Sequence, residues 1–271
     1  MQQLTFGSLF AGIGGLDLGF ERAGMICKWQ VEIDDYATRV LAKHWPNVRR
    51  HDDIRTWPQP DTERVDVICG GFPCQDISYA GRGAGIEGSR SGLFFEAIRV
   101  VCELRPRIVV LENVAALLTR GMDRVLGTLA EIGFDAEWHC IPAAAVGAPH
   151  IRDRVFIVAV DTNSAFFLGN ESNNKRQLSK PKQREPGGVC CKVPDANSHR
   201  FNQGWQCIAT AGGHGVERNA WWEVEPAVGR VADGVSSRVD RLRGLGNAVV
   251  PQVAEWIGQR IVEASKEPDQ C

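Results

Sequence analysis

The chain has 271 residues, of which 44% are hydrophobic and 24% charged, as in a soluble globular protein large enough for one sizeable core and a small appendage. No apolar run approaches the roughly 20 residues of a membrane span, which excludes a helical membrane protein, and the net charge of −2 argues neither for nor against a polyanionic partner. Nine cysteines without a signal peptide lead to the expectation of reduced thiols in the cytoplasm rather than a disulfide framework.

Leu4 to Phe10 reads as a strand, followed by a turn carrying Gly12, Gly14 and Gly15 and a helix with Leu16, Phe20 and Ala23 at helical spacing. Glycines there let the backbone turn tightly and approach a ligand. Cys27 to Ile33 is the next strand; it ends at Glu32 and runs into Asp34-Asp35. An acid about 20 residues after a glycine turn is where a ribose hydroxyl pair is usually held, so the two features together read as an adenosine site. Asp35 to Trp45 reads as a helix with Tyr36, Val40, Leu41 and His44 on one face, stopped by Pro46. Arg49 to Ile54 supplies a third strand end with Asp52-Asp53-Ile54.

Val65 to Cys69 is a buried parallel strand by pattern, and it is expected to stop at Gly70-Gly71. Phe72-Pro73-Cys74-Gln75 follows, then a polar, glycine-rich stretch to Gly92. A thiol at the carboxyl end of such a strand lies where open α/β sheets place their ligands. An ordinary buried cysteine needs no preceding proline, two glycines and a long glycine-rich loop beside it. Leu93 to Leu104 is an amphipathic helix, Arg107 to Leu111 a strand ending in Glu112-Asn113-Val114, and Met122 to Ile132 another helix. Phe134 to Cys140 and Arg154 to Val160 read as strands, and their short connection makes them antiparallel neighbours at the end of the sheet. The alternation predicts an α/β protein with a mostly parallel sheet.

Beyond Val160 the composition changes. Residues 161–232 are rich in Asn, Gly, Lys and Gln, with Trp205, Trp221 and Trp222, and read as a small irregular module between a domain over 1–160 and a segment over 233–271 that returns to it. From Glu171 to Arg200 seven basic residues face three acidic ones, a local excess within an acidic chain. Cys190, Cys191, His199, Cys207 and His214 lack zinc-ligand spacing, so no metal is expected. Gln252 to Ala264 is a helix with Val253, Trp256, Ile257 and Ile261 at core spacing.

Taken together, Phe10-Ala-Gly-x-Gly-Gly15, Glu32, Asp53-Ile54, Gly71-Phe-Pro-Cys-Gln75, Ser89-Arg-x-Gly-Leu-Phe94, Glu112-Asn-Val114, Arg152-x-Arg154 and Gly246-Asn-Ala-Val-Val-Pro251 resemble, in order and spacing, the DNA (cytosine-5) methyltransferases. The match covers Leu4 to Val160 and Arg241 to about Ile261. The resemblance implies a Rossmann-like S-adenosylmethionine-dependent methyltransferase fold with a target-recognition module. It implies double-stranded DNA as substrate, a base flipped out of the duplex, and a cognate restriction endonuclease as partner; a monomer with no membrane association is expected.

The resemblance also implies roles. Cys74 would add to carbon 6 of cytosine and so activate carbon 5. Glu112 would hold a proton near ring nitrogen 3, and Arg152 and Arg154 would support the base and the catalytic loop. S-adenosylmethionine would be the methyl donor, in a site built from Phe10, Ala11, Gly12, Gly14, Gly15 and Ile33, with Phe10 stacked near the adenine, Glu32 at the ribose and Asp53 and Ile54 at the adenine edge and face. Gly71, Pro73 and Leu93 would line the pocket. Asn247 and Ala248 would close it, with the last helix packed back beside the first strand. The chain departs from the family at His150, where glutamine is common, in the segment before Asn247, and in a short variable region. These departures bear on target choice more than on catalysis. A nicotinamide oxidoreductase would leave Pro73-Cys74-Gln75 and Glu112-Asn113 without a role. A tRNA cytosine-5 methyltransferase usually carries a Cys-Phe-Thr signature that is absent here. A catalytically inactive DNA-binding homologue is the third alternative.

Overall fold

The structure is a computed structural model that describes residues 3–73, 92–164 and 238–266. Among these residues a seven-stranded sheet has the spatial order β3-β2-β1-β4-β5-β7-β6. Strands β1 (Thr5–Leu9), β2 (Ile26–Val31), β3 (Arg49–His51), β4 (Val67–Gly71) and β5 (Ile108–Val114) run parallel to one another. As the short connection predicts, β6 (Phe134–Pro142) and β7 (Asp153–Asp161) form an antiparallel pair, with β7 antiparallel to β5 and β6 at the edge. The chain leaves β1 on one side to form β2 and β3, then crosses back to place β4 on the other side. That reversal opens a crevice at the carboxyl ends of β1 and β4.

The strands read as continuous apolar runs because both sheet faces are covered. In β4, Ile68 points to one face, where α3 (Gly92–Leu104) and α4 (Met122–Glu131) pack through Phe94, Val101, Val125 and Leu129. Val67 and Cys69 point to the other, against α1 (Gly15–Arg22) and α6 (Pro251–Ser265), which contribute Phe20, Val253, Ile257 and Ile261. Helices α1 and α6 meet through small residues. A Cβ on Gly19 would sit 2.4 Å from the Ala254 Cβ, and one on Gly258 would sit 2.7 Å from the Ala23 Cβ. The end of the chain is thereby docked against its first helix. Phe20 in turn meets Phe6 of β1 edge-on, ring centroids 5.6 Å apart.

Some expectations need adjustment. Strand β4 runs through Gly70 and Gly71 instead of stopping before them. Both keep pairing, Gly70 with Leu9 and Gly71 with Glu112, and a Cβ on either would lie 2.5 or 2.6 Å from its neighbour. These glycines mark close approach, not a strand end. Helix α2 (Asp35–His44) buries Ala37 and Leu41, whereas His44 is exposed. The inward stripe continues to the capping Trp45 at i+4 spacing, which leaves His44 to one side. Trp256 is only partly buried; its place in the stripe is taken by Ala254 and Gly258, which allow the close contact with α1. Residues 238–247 form a further helix, α5 (Arg238–Asn247). The module expected over 161–232, with its basic cluster and its Cys and His residues, lies outside the described residues after Ser164. No helix among the described residues is long and apolar enough to cross a membrane.

Candidate active site

A cavity of about 470 Å³ occupies the crevice, within the usual range for small-molecule sites. Its floor is the turn after β1. Phe10 has φ 53 and Gly14 has φ 86; a left-handed non-glycine residue such as Phe10 is held only where surrounding structure enforces it. The Ala11 N–H donates to Val31 O at 3.1 Å and the Gly14 N–H to Ala11 O at 2.9 Å, which ties the turn to the end of β2. Glu32, just past β2, accepts from the Gly12 N–H at 2.7 Å with Oε2 and from the Asp34 N–H at 2.8 Å with Oε1. Two backbone amides thus fix its carboxylate, and each oxygen retains a lone pair for a hydroxyl group.

On the adjoining wall, Asp53 caps the 3-10 turn Ile54–Thr56, its Oδ1 accepting from the Arg55 N–H at 3.0 Å. That turn is held from behind by Arg99 of α3, which donates to Ile54 O at 2.7 Å and Trp57 O at 2.6 Å. Glu96 and Glu103 pair with the same guanidinium at 2.8 and 2.7 Å and orient it. Ile33, beside Glu32, is 67% exposed although it lines the cavity, so it offers an apolar surface with no protein cover.

The far side is built by the sheet register. Gly71 of β4 and Phe156 of β7 flank Glu112 of β5, and Arg154 lies two residues from Phe156 on the same face of β7. Arg154 Nε therefore reaches Glu112 Oε1 at 2.8 Å. Gly71 must lack a side chain, since a Cβ there would meet Glu112 Oε2 at 2.6 Å. Glu112 is 8% exposed, and burial raises its pKa to about 7 despite the opposing pull of Arg154 and Arg152. Its carboxyl can therefore hold or release a proton near neutrality. The next residue, Asn113, is buried; its Nδ2 donates to Phe72 O at 3.3 Å and its Oδ1 accepts from the Val114 N–H at 2.8 Å. The chain leading to Cys74 is thus pinned beside Glu112. Cys74 itself, with the loop to Ser91, lies outside the described residues.

The last wall comes from the other end of the chain. Asn247, Ala248 and Val249 line the cavity with Asp240, Arg243 and Gly244 of α5. Arg152 Nη2 donates to Gly246 O at 2.6 Å and to Ala248 O at 2.7 Å, and Arg243 Nη1 lies 3.2 Å from Asp34 Oδ2. Phe10, Ala11, Gly12, Gly15, Glu32, Ile33, Asp53, Ile54, Gly71, Pro73, Leu93, Glu112, Arg154, Asn247 and Ala248 all line this one cavity. Gly14 stands behind it, where a Cβ would lie 2.4 Å from the Trp45 ring. Asn113 belongs to the Glu112-Asn-Val114 motif read from the sequence, though no role was given to it there. Arg99 and Arg243 were not singled out; they bond partners distant in sequence and leave no local pattern.

The profile of the family described as C-5 cytosine-specific DNA methylase matches residues 4–206. The chain belongs to this family. The Type II methyltransferase M.Eco47II of Escherichia coli is 40% identical over 203 residues, which is 71% of this chain and 49% of the relative. The Type II methyltransferase M.NgoBI of Neisseria gonorrhoeae is 34% identical over 63% of this chain and 55% of the relative. The chain thus spans about half the length of the curated relatives it matches. Among solved structures, the S. pombe Dnmt2 methyltransferase superposes with a TM-score of 0.51 over 64% of this chain and 57% of that one. At 19% identity this similarity speaks for the fold alone, which is the α/β, Rossmann-like architecture of the methyltransferases.

Proposed function

We propose that this methylase transfers a methyl group from S-adenosylmethionine to carbon 5 of cytosine in double-stranded DNA, through a covalent adduct at Cys74. The observation that carries the reading is the placement of a buried, near-neutral carboxyl on the wall of a nucleoside-sized cavity, with the segment leading to Cys74 tied to its neighbour. The cavity's chemistry fits the cofactor. Phe10, Ile33 and Ile54 offer apolar surface for a purine, Glu32 offers two fixed oxygens to a ribose, and Asp53 lines the same wall, where it would address the adenine edge. Leu93 and Pro73 complete the lining, and Ala11, Gly12 and Gly15 let the chain approach closely.

When bound, S-adenosylmethionine supplies an electrophilic methyl group. The Cys74 thiolate adds to carbon 6 of the flipped cytosine, and a carbon–sulfur bond forms as the ring's electron pair shifts toward carbon 5. Glu112 Oε1 is held by Arg154, which leaves Oε2 to share its proton with ring nitrogen 3 as negative charge builds there. Carbon 5 would then take the methyl group, leaving the cofactor as the thioether S-adenosylhomocysteine, give up its proton to a base such as a water molecule, and expel the Cys74 thiolate to restore the aromatic ring. Arg154, fixed between Glu112 and its own strand, keeps the carboxyl in register with the base.

We assign target recognition to residues 161–232, on the strength of their basic excess and aromatic content. A cognate restriction endonuclease is the partner that the Type II names of the relatives support. The protein would act as a monomer in the cytoplasm. Bisulfite sequencing of plasmid DNA from cells producing the methylase tests the reading. Protected cytosines within one recurring sequence are expected. Complete conversion, from a protein that binds S-adenosylmethionine, would instead leave the tRNA or inactive-homologue alternatives, and tritiated methyl transfer to tRNA separates those two.

A further inference from the structure

Arg152 and Arg154 stand two residues apart, yet the structure gives them different partners. Arg154 lines the cavity and pairs with Glu112 at 2.8 Å. Arg152 does not line the cavity; its Nη2 donates to Gly246 O at 2.6 Å and Ala248 O at 2.7 Å, across 94 and 96 residues of sequence. Gly246 lies in the last turn of α5, where helix carbonyls lack intrahelical donors and the macrodipole favours a cation. Asn247, held between the two bonded carbonyls, lines the cavity with Ala248. Val249 O follows directly, and a Cβ on Gly15 would lie 2.4 Å from it, so this segment rests on the glycine turn. The backbone of Arg152 is anchored in turn, its carbonyl accepting from the Ala143 N–H at 3.3 Å.

We infer that Arg152 is a positioning residue for the cofactor: by clamping Gly246 and Ala248 it holds the C-terminal wall of the cavity in place, while Arg154 serves the base side. The inference rests on the cofactor reading above. It differs from the division of labour that the sequence resemblance implies, in which both arginines attend the base. It also couples the two halves of the site, because the clamp's cation sits close enough to Glu112 and Arg154 to act on both electrostatically.

The test uses the full chain with R152A and R152K. Affinity for S-adenosylmethionine and S-adenosylhomocysteine is measured by calorimetry. Covalent trapping on a 5-fluorocytosine duplex is measured across a range of S-adenosylmethionine concentrations. The expected result is a rise of about tenfold or more in the cofactor Kd for R152A, part of it recovered in R152K. Trapping should approach the wild-type amplitude once cofactor saturates, a defect in KM more than in kcat. An unchanged Kd with trapping lost at every cofactor concentration would overturn the inference and return Arg152 to the base. Should R152A fail to fold, R152K alone decides between the same two outcomes. A wild type that binds no S-adenosylmethionine would overturn the parent reading, whereas wild-type binding with indifferent variants would overturn only the clamp.

Discussion

Asp17 and Glu112 are both buried carboxyl groups whose pKa burial raises, but only Glu112 faces the cavity. Asp17 is enclosed between α1 and the sheet, accepting from Ser8 Oγ at 3.0 Å and Gln30 Nε2 at 2.7 Å. Its pKa rises from 3.8 to about 6, so between those values the folded state keeps a proton that the unfolded state has released. Stability should therefore fall as pH rises from about 4 to about 6, by on the order of 3 kcal/mol from this group. Asp17→Asn should remove that slope, seen as a flatter dependence of the urea midpoint on pH; parallel curves for variant and wild type would contradict the assignment. At Glu112 the proposed mechanism puts the same kind of shift to chemical use. Glu112→Gln keeps the size but cannot give up a proton, and turnover should drop about 10²- to 10⁴-fold with cofactor affinity retained. In the wild type, activity should decline as pH rises through about 7, where Glu112 deprotonates, and single-turnover profiles of the variant should lack that limb. The buried thiols make a useful contrast: Cys27 and Cys69 have pKa values pushed up by burial, which keeps them inert as nucleophiles.

Two helical glycines separate the effects of packing and propensity. Gly258 of α6 has no room, since a Cβ would lie 2.7 Å from Ala23 Cβ and 3.1 Å from the Phe20 ring, while Gly127 of α4 has nothing within 4 Å. Gly258→Ala should force α1 and α6 apart and cost about 1–3 kcal/mol. Gly127→Ala should stabilise by up to about 1 kcal/mol. Urea denaturation of both variants checks this, and equal effects would mean that the α1–α6 contact yields easily. The elements themselves were mostly legible, because a sheet covered on both faces writes its strands as apolar runs and its parallel crossovers as amphipathic helices. Gly70 and Gly71 misled by looking like a stop signal; nothing local says that a neighbouring backbone and the Glu112 carboxyl need the space. Helix α5 was not legible as a helix. It carries Gly244 and Gly246, and its apolar Val239, Leu242 and Leu245 are exposed, so no buried stripe marks its period.

At the scale of the molecule, the fold gathers Phe10, Glu32, Asp53, Glu112 and Asn247 around one cavity. Of that set, Glu32 was readable from its spacing after the glycine turn; Phe10, Asp53, Glu112 and Asn247 were implied by the resemblance of their motifs to the family. The contacts behind the set were not readable: Arg99 leaves no local pattern, and Arg152, named by its motif, bonds backbone carbonyls that any sequence would supply. Because α5 and the residues that lead into α6 complete the cavity, cofactor binding and global stability should be linked. Glu32→Ala should lose about 1.5–3 kcal/mol of S-adenosylmethionine affinity, roughly ten- to a hundred-fold, and with it most of the rise in melting temperature that S-adenosylhomocysteine gives the wild type. An unchanged Kd by calorimetry would place the ribose elsewhere. The central claim is that Cys74 forms a bond to the base, and one measurement addresses it directly. Wild type and Cys74→Ser are incubated with S-adenosylmethionine and a duplex whose cytosines are replaced by 5-fluorocytosine, from which the adduct cannot be resolved after methyl transfer. The account predicts a denaturant-stable protein–DNA complex for the wild type and none for Cys74→Ser. A wild type that methylates ordinary cytosine yet forms no such complex, or a complex that persists in Cys74→Ser, would contradict it.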